Sequence, residues 1–213
     1  MKKYLYLILF ALIAFFPGSV SGNWQYWSHY EIVNSIDENL DFKVKPELRF
    51  DENFSNHYYT HFDIGFDWEV VDWFIFSPYY RHVNEKYDEI HQVEYRPHLN
   101  ITFKWKALSF INTSDRNRIE IRIKEEETSL RYRNQLTIKM SKFTRYEFQP
   151  YIADEFFYDF ESKEINKNRL YAGTDFKTIK NIKIGLCYIL ESAKREDSWR
   201  GDNVFQSSIK FGF

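Results

Sequence analysis

Arginine and glutamate recur at every second position along several segments of this chain, and they are the residues best suited to chemistry. Because successive side chains of a β-strand point to opposite faces, each alternating set shares one face. Guanidinium groups on a common face can bind anions or pair with carboxylates in bidentate geometry. The candidate residues of this kind are Arg49, Arg81, Glu94, Arg96, Arg116, Arg118, Glu120, Arg122, Arg131, Arg133, Glu147, Glu155 and Arg169.

Motifs for catalysis and metal binding are weaker. The six histidines are scattered, and neither a G-x-S-x-G nor an H-E-x-x-H string occurs. Asp154 and Glu155 are neighbours, so a strand would point them to opposite faces. His57, His61 and Asp63 could approach one metal ion, but spaced surface histidines are usually solvated. We therefore predict no catalytic residues, no metal site and no cofactor, and we regard an enzyme as the less favoured interpretation.

The elements that position the charged residues are strands, because the opposite face of each segment is apolar. Polar and apolar residues alternate without exception from Gln92 to Trp105. Strands that span a membrane need ~9–11 residues, whereas ordinary globular strands average nearer 5–6. Most alternating segments reach ten residues, and the eleven candidate strands start near Trp24, Leu40, Tyr59, Phe74, Gln92, Leu108, Ser129, Arg145, Asn168, Ile182 and Asn203.

Connections of alternating length and clusters of aromatic residues also indicate an outer-membrane barrel, which has short periplasmic turns, longer external loops and two aromatic girdles. The expected short connections are 70–72, 106–107, 141–144 and 178–181, and the expected longer ones are 51–57, 84–90, 125–128, 159–167 and 192–202. Aromatic residues near the short turns are Trp68, Trp73, Phe74, Trp105, Phe143, Tyr146, Phe176, Phe211 and Phe213. Those near the longer loops are Phe54, Tyr58, Tyr59, Tyr87, Phe156, Tyr158 and Trp199.

The first residues of the chain have the pattern of a cleaved signal peptide. Lys2 and Lys3 precede an apolar run over residues 4–16, and small residues suit a cut after Ser21 or Gly22. This run is shorter than the ~20 residues that a membrane-spanning helix needs. We expect the signal peptide to be residues 1–21 and residues 22–213 to form one barrel domain.

Composition excludes several other classes of protein. The formal net charge is −2, which gives no reason to propose binding to nucleic acid. Cys187 is the only cysteine, so an intrachain disulfide and a cysteine-based metal cluster are excluded. No later stretch is apolar for the length of a spanning helix, which excludes a helical membrane protein.

Several strings of the chain resemble a bacterial family known only as a domain of unknown function and regarded as outer-membrane barrel proteins. They occur in order as Leu48-Arg49-Phe50, Pro78-Tyr79-Tyr80-Arg81, Arg96-Pro97-His98, Arg116-Asn117-Arg118, Arg131-Tyr132-Arg133-Asn134, Gln149-Pro150-Tyr151 with Asp154-Glu155, and Asn168-Arg169 with Gly173. The resemblance implies a barrel but no activity, substrate or catalytic residue. The chain also ends in Phe213 after alternating apolar residues, which resembles the insertion signal of outer-membrane barrels.

We predict an all-β protein: a closed antiparallel transmembrane β-barrel of about ten to twelve strands in an up-and-down meander, with both termini on the periplasmic side. Bacterial single-chain barrels normally have an even strand count, so eleven strands are unexpected. Prolines belong at edges or bulges, and we expect bulges or bends at Pro46, Pro78, Pro97 and Pro150.

The predicted function is that of a small channel or structural envelope protein of the bacterial outer membrane, with an arginine-rich polar lumen. One alternative is an outer-membrane enzyme that acts on lipid or envelope polymer. Another is a soluble periplasmic β-barrel that binds a small ligand, since an apolar face could also point into a core. The expected partners are outer-membrane lipid, the barrel insertion machinery and a small anionic solute.

Overall fold

Eleven β-strands account for most of the chain and close into one barrel. The computed structural model describes residues 23–52, 54–87, 90–142, 147–179, 181–195 and 198–213. The predicted signal peptide, residues 1–21, and its alternative last residue Gly22 lie outside the described residues. The strands are β1 (Trp24–Asp37), β2 (Leu40–Asp51), β3 (Asn56–Val71), β4 (Phe74–Tyr87), β5 (Ile90–Leu108), β6 (Ile111–Ile123), β7 (Thr128–Met140), β8 (Gln149–Asp159), β9 (Glu164–Ile179), β10 (Ile182–Arg195) and β11 (Ser198–Gly212).

The described residues form no helix. None of their segments forms a helix that is long and apolar enough to cross a membrane. The predicted all-β meander, with its count of eleven strands, is therefore confirmed.

The barrel closes through a parallel pair of strands. Each strand pairs antiparallel with the next along the chain, whereas β1 pairs parallel with β11, from Trp24 opposite Asn203 to Val33 opposite Gly212. The first and last strands of a meander run in the same direction when the number of strands is odd. An eleven-stranded meander can therefore close only in this way, and the predicted antiparallel pattern holds for every pair except this one.

The two ends of the barrel are named here by their connections. Connections β1–β2, β3–β4, β5–β6, β7–β8 and β9–β10 lie at the turn end, and the other five lie at the loop end. Trp24 begins β1 toward the loop end, whereas the N–H of Phe213 donates to the Val33 carbonyl at the turn end, at 3.0 Å. The prediction that both termini lie at one end is wrong for the described chain, because an odd strand count separates them.

Most of the predicted longer loops are strands instead. Strand β4 ends at Tyr87 and β5 begins at Ile90, and β10 ends at Arg195 and β11 begins at Ser198. Conversely, β8 begins at Gln149 rather than near position 145, so its turn-end connection is longer than predicted. The regular alternation of connection length is therefore wrong. Polar hairpins keep their ladder hydrogen bonds in water, so polarity alone does not mark where a strand ends.

None of the four prolines lies at a bulge. Pro46 is opposite Phe62, Pro78 opposite Leu99, Pro97 opposite Tyr80 and Pro150 opposite Thr174, each in uninterrupted register. The predicted bulges are therefore wrong, whereas pairing with the strand on the other side skips Pro46, Pro78 and Pro97 without a shift of register. A proline removes one N–H from the ladder, whereas a shift of one residue would turn every following side chain to the wrong face.

The exterior of the barrel is apolar and its interior is charged, which inverts the arrangement of a soluble domain. Outward-facing Phe62, Ile64 and Ile119 are 53%, 46% and 50% exposed, whereas inward-facing Glu120 and Glu155 are fully buried. A small apolar cluster also lies inside, against β1, β10 and β11. It consists of Trp27, Cys187, Ile189 and Val204, with Tyr151 and Tyr171 packed against it.

Aromatic residues are exposed near both ends of the barrel, but two predicted members of the girdles do not lie on the outer surface. Trp68, Trp73 and Trp105 are exposed toward the turn end, and Phe54 and Trp199 toward the loop end. The two exceptions are Tyr59, which is buried on the inward face, and Tyr58, whose hydroxyl donates to Gln25 on β1. Phe143 and Tyr146 lie outside the described residues, and the side chain of Tyr87 is not described.

Gly65 marks a close approach between β3 and β4, and it supplies a test of the packing. A Cβ at this position would lie 2.3 Å from the carbonyl oxygen of Pro78 and 2.6 Å from the Tyr79 ring. We expect Gly65→Ala to lower the free energy of unfolding by about 1–3 kcal/mol, because the backbone oxygen cannot move aside cheaply. Urea unfolding in detergent micelles measures this change. Gly212→Ala is the control, since a Cβ there meets nothing within 4 Å. Equal stability of the two variants would contradict the packing at Gly65.

Candidate functional site

A strongly basic cavity, which we name the basic vestibule, opens in the lumen on its loop-end side. Its volume is about 310 Å³. Nine of its fourteen lining residues are arginine or lysine, and one, Glu85, is acidic. The lining residues are Arg49, Tyr59, Arg81, Glu85, Arg96, Arg122, Arg131, Arg133, Phe157, Asn166, Lys167, Arg169, Ala193 and Lys194.

Strands β2 to β10 all contribute to this lining, because their inward faces converge on one space. Two irregularities in register add polar groups near the rim. Tyr58 lies between paired residues of β3 and Asn166 between paired residues of β9, and neither has a direct partner in these ladders. An extra residue of this kind re-aims a side chain. Tyr58 consequently reaches Gln25, at 2.9 Å, and Asn166 reaches the vestibule.

Carboxylates behind the lining hold the guanidinium groups in place. Arg81 donates to Asp63 through Nε at 2.5 Å and Nη2 at 2.7 Å. Arg122 donates to Glu94 in the same bidentate way, at 2.8 and 2.9 Å, and Arg96 donates to Glu94 through Nε at 2.7 Å. Bidentate pairs fix the plane of a guanidinium as well as its position. These arginines are therefore oriented before any ligand arrives.

Below the vestibule the lumen holds a buried layer of ion pairs around Glu120 and Glu155. Arg133 bridges the two carboxylates, with Nη1 2.8 Å from Glu120 and Nη2 2.7 Å from Glu155. Arg131 donates to Glu120 at 2.6 Å, and Arg116 donates to Glu155 at 2.8 Å. We call these five residues, together with Arg118, the ion-pair layer. Their side chains fill lumen space that an open pore would leave to water.

Aromatic rings also contact several of these guanidinium groups. The Arg49 guanidinium lies 3.7 Å from the Trp27 ring centroid and 4.3 Å from that of Tyr59. Arg133 and Arg169 lie 4.4 and 4.9 Å from the Phe157 ring centroid. Cation–π contacts at these distances are attractive, and they restrict the side chains further.

Positive charge exceeds negative charge in this network. The two central carboxylates, Glu120 and Glu155, each have three arginine partners. Ten arginine and lysine side chains pair with six carboxylates among the described residues. The cations are Arg49, Arg81, Arg96, Arg116, Arg118, Arg122, Arg131, Arg133, Lys167 and Arg169, and the carboxylates are Glu47, Asp63, Glu94, Glu120, Glu155 and Glu191. The surplus leaves the vestibule suited to anions.

The turn-end half of the lumen is more nearly neutral. Lys43 donates to Asp67 at 2.5 Å and lies near Glu31 and Asp41. Tyr79 donates its hydroxyl to the same Asp67 carboxylate at 3.0 Å. The basic character therefore belongs to one end of the lumen rather than to its whole length.

Twelve of the thirteen predicted site residues lie on inward faces of the strands, and seven of them line the basic vestibule. Glu147 is the exception, since it lies in a turn and not on the face of a strand. It precedes β8 in a turn with φ 52°, and its carboxylate lies 2.9 Å from the Lys142 ammonium. The alternation that assigned it inward does not hold before Gln149, where β8 begins.

Sequence reasoning left several lining residues out of the predicted site. Glu85, Lys167 and Lys194 were assigned to loops, although period two continued backward from Arg169 would have placed Lys167 inward. Asn166 gave no such signal, because it reaches the interior only through the irregular register of β9.

Histidine and carboxylate side chains do not assemble into a metal site in the described part of the chain. His57 is exposed and lies 2.9 Å from the Thr60 hydroxyl, whereas His61 and Asp63 are buried inside the barrel. The three residues that could have approached one ion are therefore not brought together.

Comparisons with known proteins give a fold and a family. No curated protein matches the chain. A solved structure described as "NanC porin structure in rhombohedral crystal form" is similar over 89% of this chain and 97% of that chain, with a TM-score of 0.58. Its sequence is 9% identical, so the likeness concerns the fold alone. The family model described as "Protein of unknown function (DUF2490)" matches residues 24–202. Since this range covers most of the chain, the protein belongs to the DUF2490 family.

Proposed function

We propose that this protein is an outer-membrane β-barrel that admits small anionic solutes through the basic vestibule. The observation that carries the proposal is the lining of the vestibule, with nine cationic side chains and one carboxylate. A concave site of one charge sign, with walls of low dielectric constant, concentrates ions of the opposite sign. Rings of arginine and lysine act in this way in anion-selective pores.

The apolar exterior supports the membrane part of the proposal. Outward-facing side chains such as Phe62, Ile64 and Ile119 are about half exposed along the middle of their strands. A soluble domain rarely leaves such a continuous apolar surface in contact with water. Similarity to a porin fold is consistent with the same location. Outer-membrane lipid is then the partner of the exterior, and an anion is the partner of the lumen.

The ion-pair layer determines how an anion would pass the middle of the lumen. Conduction requires sites that bind an ion well enough to admit it but weakly enough to release it. Arg116 and Arg133 both bind Glu155, so either guanidinium can turn to a passing anion while the carboxylate keeps one partner. Arginines that exchange partners among the shared carboxylates would let small anions pass the ion-pair layer without a permanently open pore.

Conductance in planar lipid bilayers tests this function. We expect current steps in the wild-type protein and a reversal potential, in a salt gradient, that shows a preference for anions. Arg122→Gln with Arg131→Gln should reduce the ratio of anion to cation permeability about twofold or more, because two cations leave the vestibule. Each change leaves the carboxylate with another arginine, since Arg96 keeps Glu94 and Arg133 keeps Glu120.

Lys163→Gln is the matched control for the conductance experiment. It removes one positive charge from an exposed position in the β8–β9 connection at the loop end, outside the vestibule lining. Its selectivity should equal that of the wild type. A cation-selective wild-type channel, or equal selectivity in all the variants, would show that the vestibule does not select anions.

A sealed structural barrel is the second candidate function. The full burial of Glu120 and Glu155 favours it, because buried and paired side chains leave little room for water at that level. Barrels of about eight strands are just filled by side chains, and eleven strands exceed that number only modestly. Absence of current from a correctly folded wild-type barrel would support this candidate over the channel.

A further inference from the structure

We propose that the basic vestibule binds a phosphoryl group, that is, a multiply charged tetrahedral oxyanion. This inference rests on the proposed function, because it names the class of anion that the vestibule takes. The ligand would be a small phosphorylated solute or the phosphorylated headgroup of an envelope lipid, since both present the same group to the same arginines.

The directions from which the guanidinium groups approach favour a tetrahedral ligand. Arg49, Arg81, Arg96, Arg122, Arg131 and Arg169 come from six different strands around the lumen. The two oxygens of a carboxylate accept within one plane, whereas the three terminal oxygens of a phosphoryl group point in directions that do not share a plane and accept from donors on several sides. Donors that surround a space therefore match the phosphoryl group better than the carboxylate.

The arginines also keep donors available for such a ligand. Arg81 and Arg122 both use Nε and Nη2 on their carboxylates, and no described residue accepts from the Nη1 group of either. Arg96 uses Nε on Glu94 and has both terminal nitrogens left. Each of these guanidinium groups is thus held by one edge and keeps at least one terminal nitrogen for a ligand in the vestibule that the three residues line.

Charge and volume set the size of the ligand. Ten cations share six carboxylates in the network, and Glu85 adds one carboxylate to the lining, so about three further negative charges would balance the site. The volume of about 310 Å³ equals the share of about ten liquid water molecules. A pyrophosphate or the phosphate end of a larger molecule fits this space and this charge.

Pre-organisation of the arginines should make the binding specific rather than diffuse. Carboxylates hold one edge of Arg49 and Arg169, at 2.7 and 2.5 Å, and the Trp27 ring lies against both guanidinium groups. Side chains that are already ordered lose little entropy when a ligand binds. Lys163, an exposed lysine at the loop end, has no such support among the described residues, which is why it serves as the control.

Isothermal titration of the detergent-solubilised barrel with inorganic pyrophosphate is the experiment that tests this inference. We expect one site per barrel and binding at least about tenfold tighter than that of tricarballylate, a tricarboxylate of similar charge. Arg122→Gln with Arg131→Gln should weaken pyrophosphate binding about tenfold or more, and Lys163→Gln should change it less than about twofold. A heat-dependent shift in gel mobility confirms that each variant is folded.

A second arm of the experiment separates the two sources of the phosphoryl group. The same titration is repeated in micelles that contain phosphatidic acid, whose headgroup is a phosphate monoester. Loss of pyrophosphate binding in these micelles supports a lipid headgroup as the ligand, and unchanged binding supports a soluble phosphorylated solute.

Failure of this inference is distinguishable from failure of the proposed function. If the barrel conducts anions but binds pyrophosphate no better than tricarballylate, the phosphoryl assignment is wrong and the anion channel stands. If pyrophosphate binds as expected but no current flows, the channel is wrong and the phosphoryl site stands.

Discussion

Glu155→Gln should lower the free energy of unfolding by about 3–5 kcal/mol, which is the usual effect of removing one partner from a buried ion pair. The Glu155 side chain is fully buried and accepts hydrogen bonds from Arg116, Arg133 and Tyr171. Glutamine keeps the size of the side chain but not its charge, so the buried guanidinium groups lose their shared counter-ion. Urea unfolding in lipid vesicles, followed by gel mobility, measures the change.

Glu69→Gln is the matched control for this prediction. Glu69 pairs with Lys104 at 2.7 Å, but the two side chains are 41% and 33% exposed, so water screens the pair. Exposed ion pairs contribute about 0–1 kcal/mol, and the control should stay within that range. Equal destabilisation by the two substitutions would mean that the ion-pair layer does not hold the barrel together.

The alternation of polar and apolar residues was sufficient to predict which side chains of each strand point inward. Arg96, Arg118 and Arg133 lie on three successive strands, and each was assigned inward from alternation alone. The reason is physical, because a one-residue slip would move charged residues to the apolar exterior, so register and pattern constrain each other. The eleven-strand count came from the same signal, although even counts are the norm in bacterial barrels.

The alternation of polar and apolar residues could not predict how the barrel closes or where its strands end. Alternation along one strand contains no information about which strand becomes its distant neighbour, so the parallel pair of β1 and β11 was not foreseen. Tyr58 and Asn166 were also missed, because an irregular register breaks the parity on which the prediction depends. Polar residues at the hairpin tips were interpreted as loops, although β4 continues to Tyr87 and β5 begins at Ile90.

The candidate site was predictable in composition but not in pairing. Arginine enrichment of the lumen follows from the inward faces, whereas the partners depend on the stagger between neighbouring strands. Arg131 lies directly opposite Glu120, but Arg122 reaches Glu94 diagonally across β5 and β6. The contact of Arg169 with Trp27 joins β9 to β1, and only closure of the barrel brings these strands within reach.

A charge on the outer surface should separate the membrane barrel from its soluble alternative. Ile64 lies in the middle of β3, faces outward and is 46% exposed. In a bilayer, Ile64→Arg should lower the free energy of unfolding by about 2–4 kcal/mol, because the arginine would sit near the hydrocarbon midplane. Unfolding in urea from lipid vesicles gives the value, with the wild-type barrel as reference.

Ile165→Arg makes the same chemical change at the loop end, where β9 begins and Ile165, opposite outward-facing Tyr158, is 46% exposed. Near the membrane interface the penalty falls to about 0–1 kcal/mol, so this variant should resemble the wild type. The contrast between the two positions is the informative quantity, since it depends on depth in the bilayer and not on the substitution. In a soluble barrel both side chains would meet water, and both substitutions would have small effects of similar size. Equal stability of the Ile64 and Ile165 variants would therefore favour the soluble periplasmic barrel over the membrane protein.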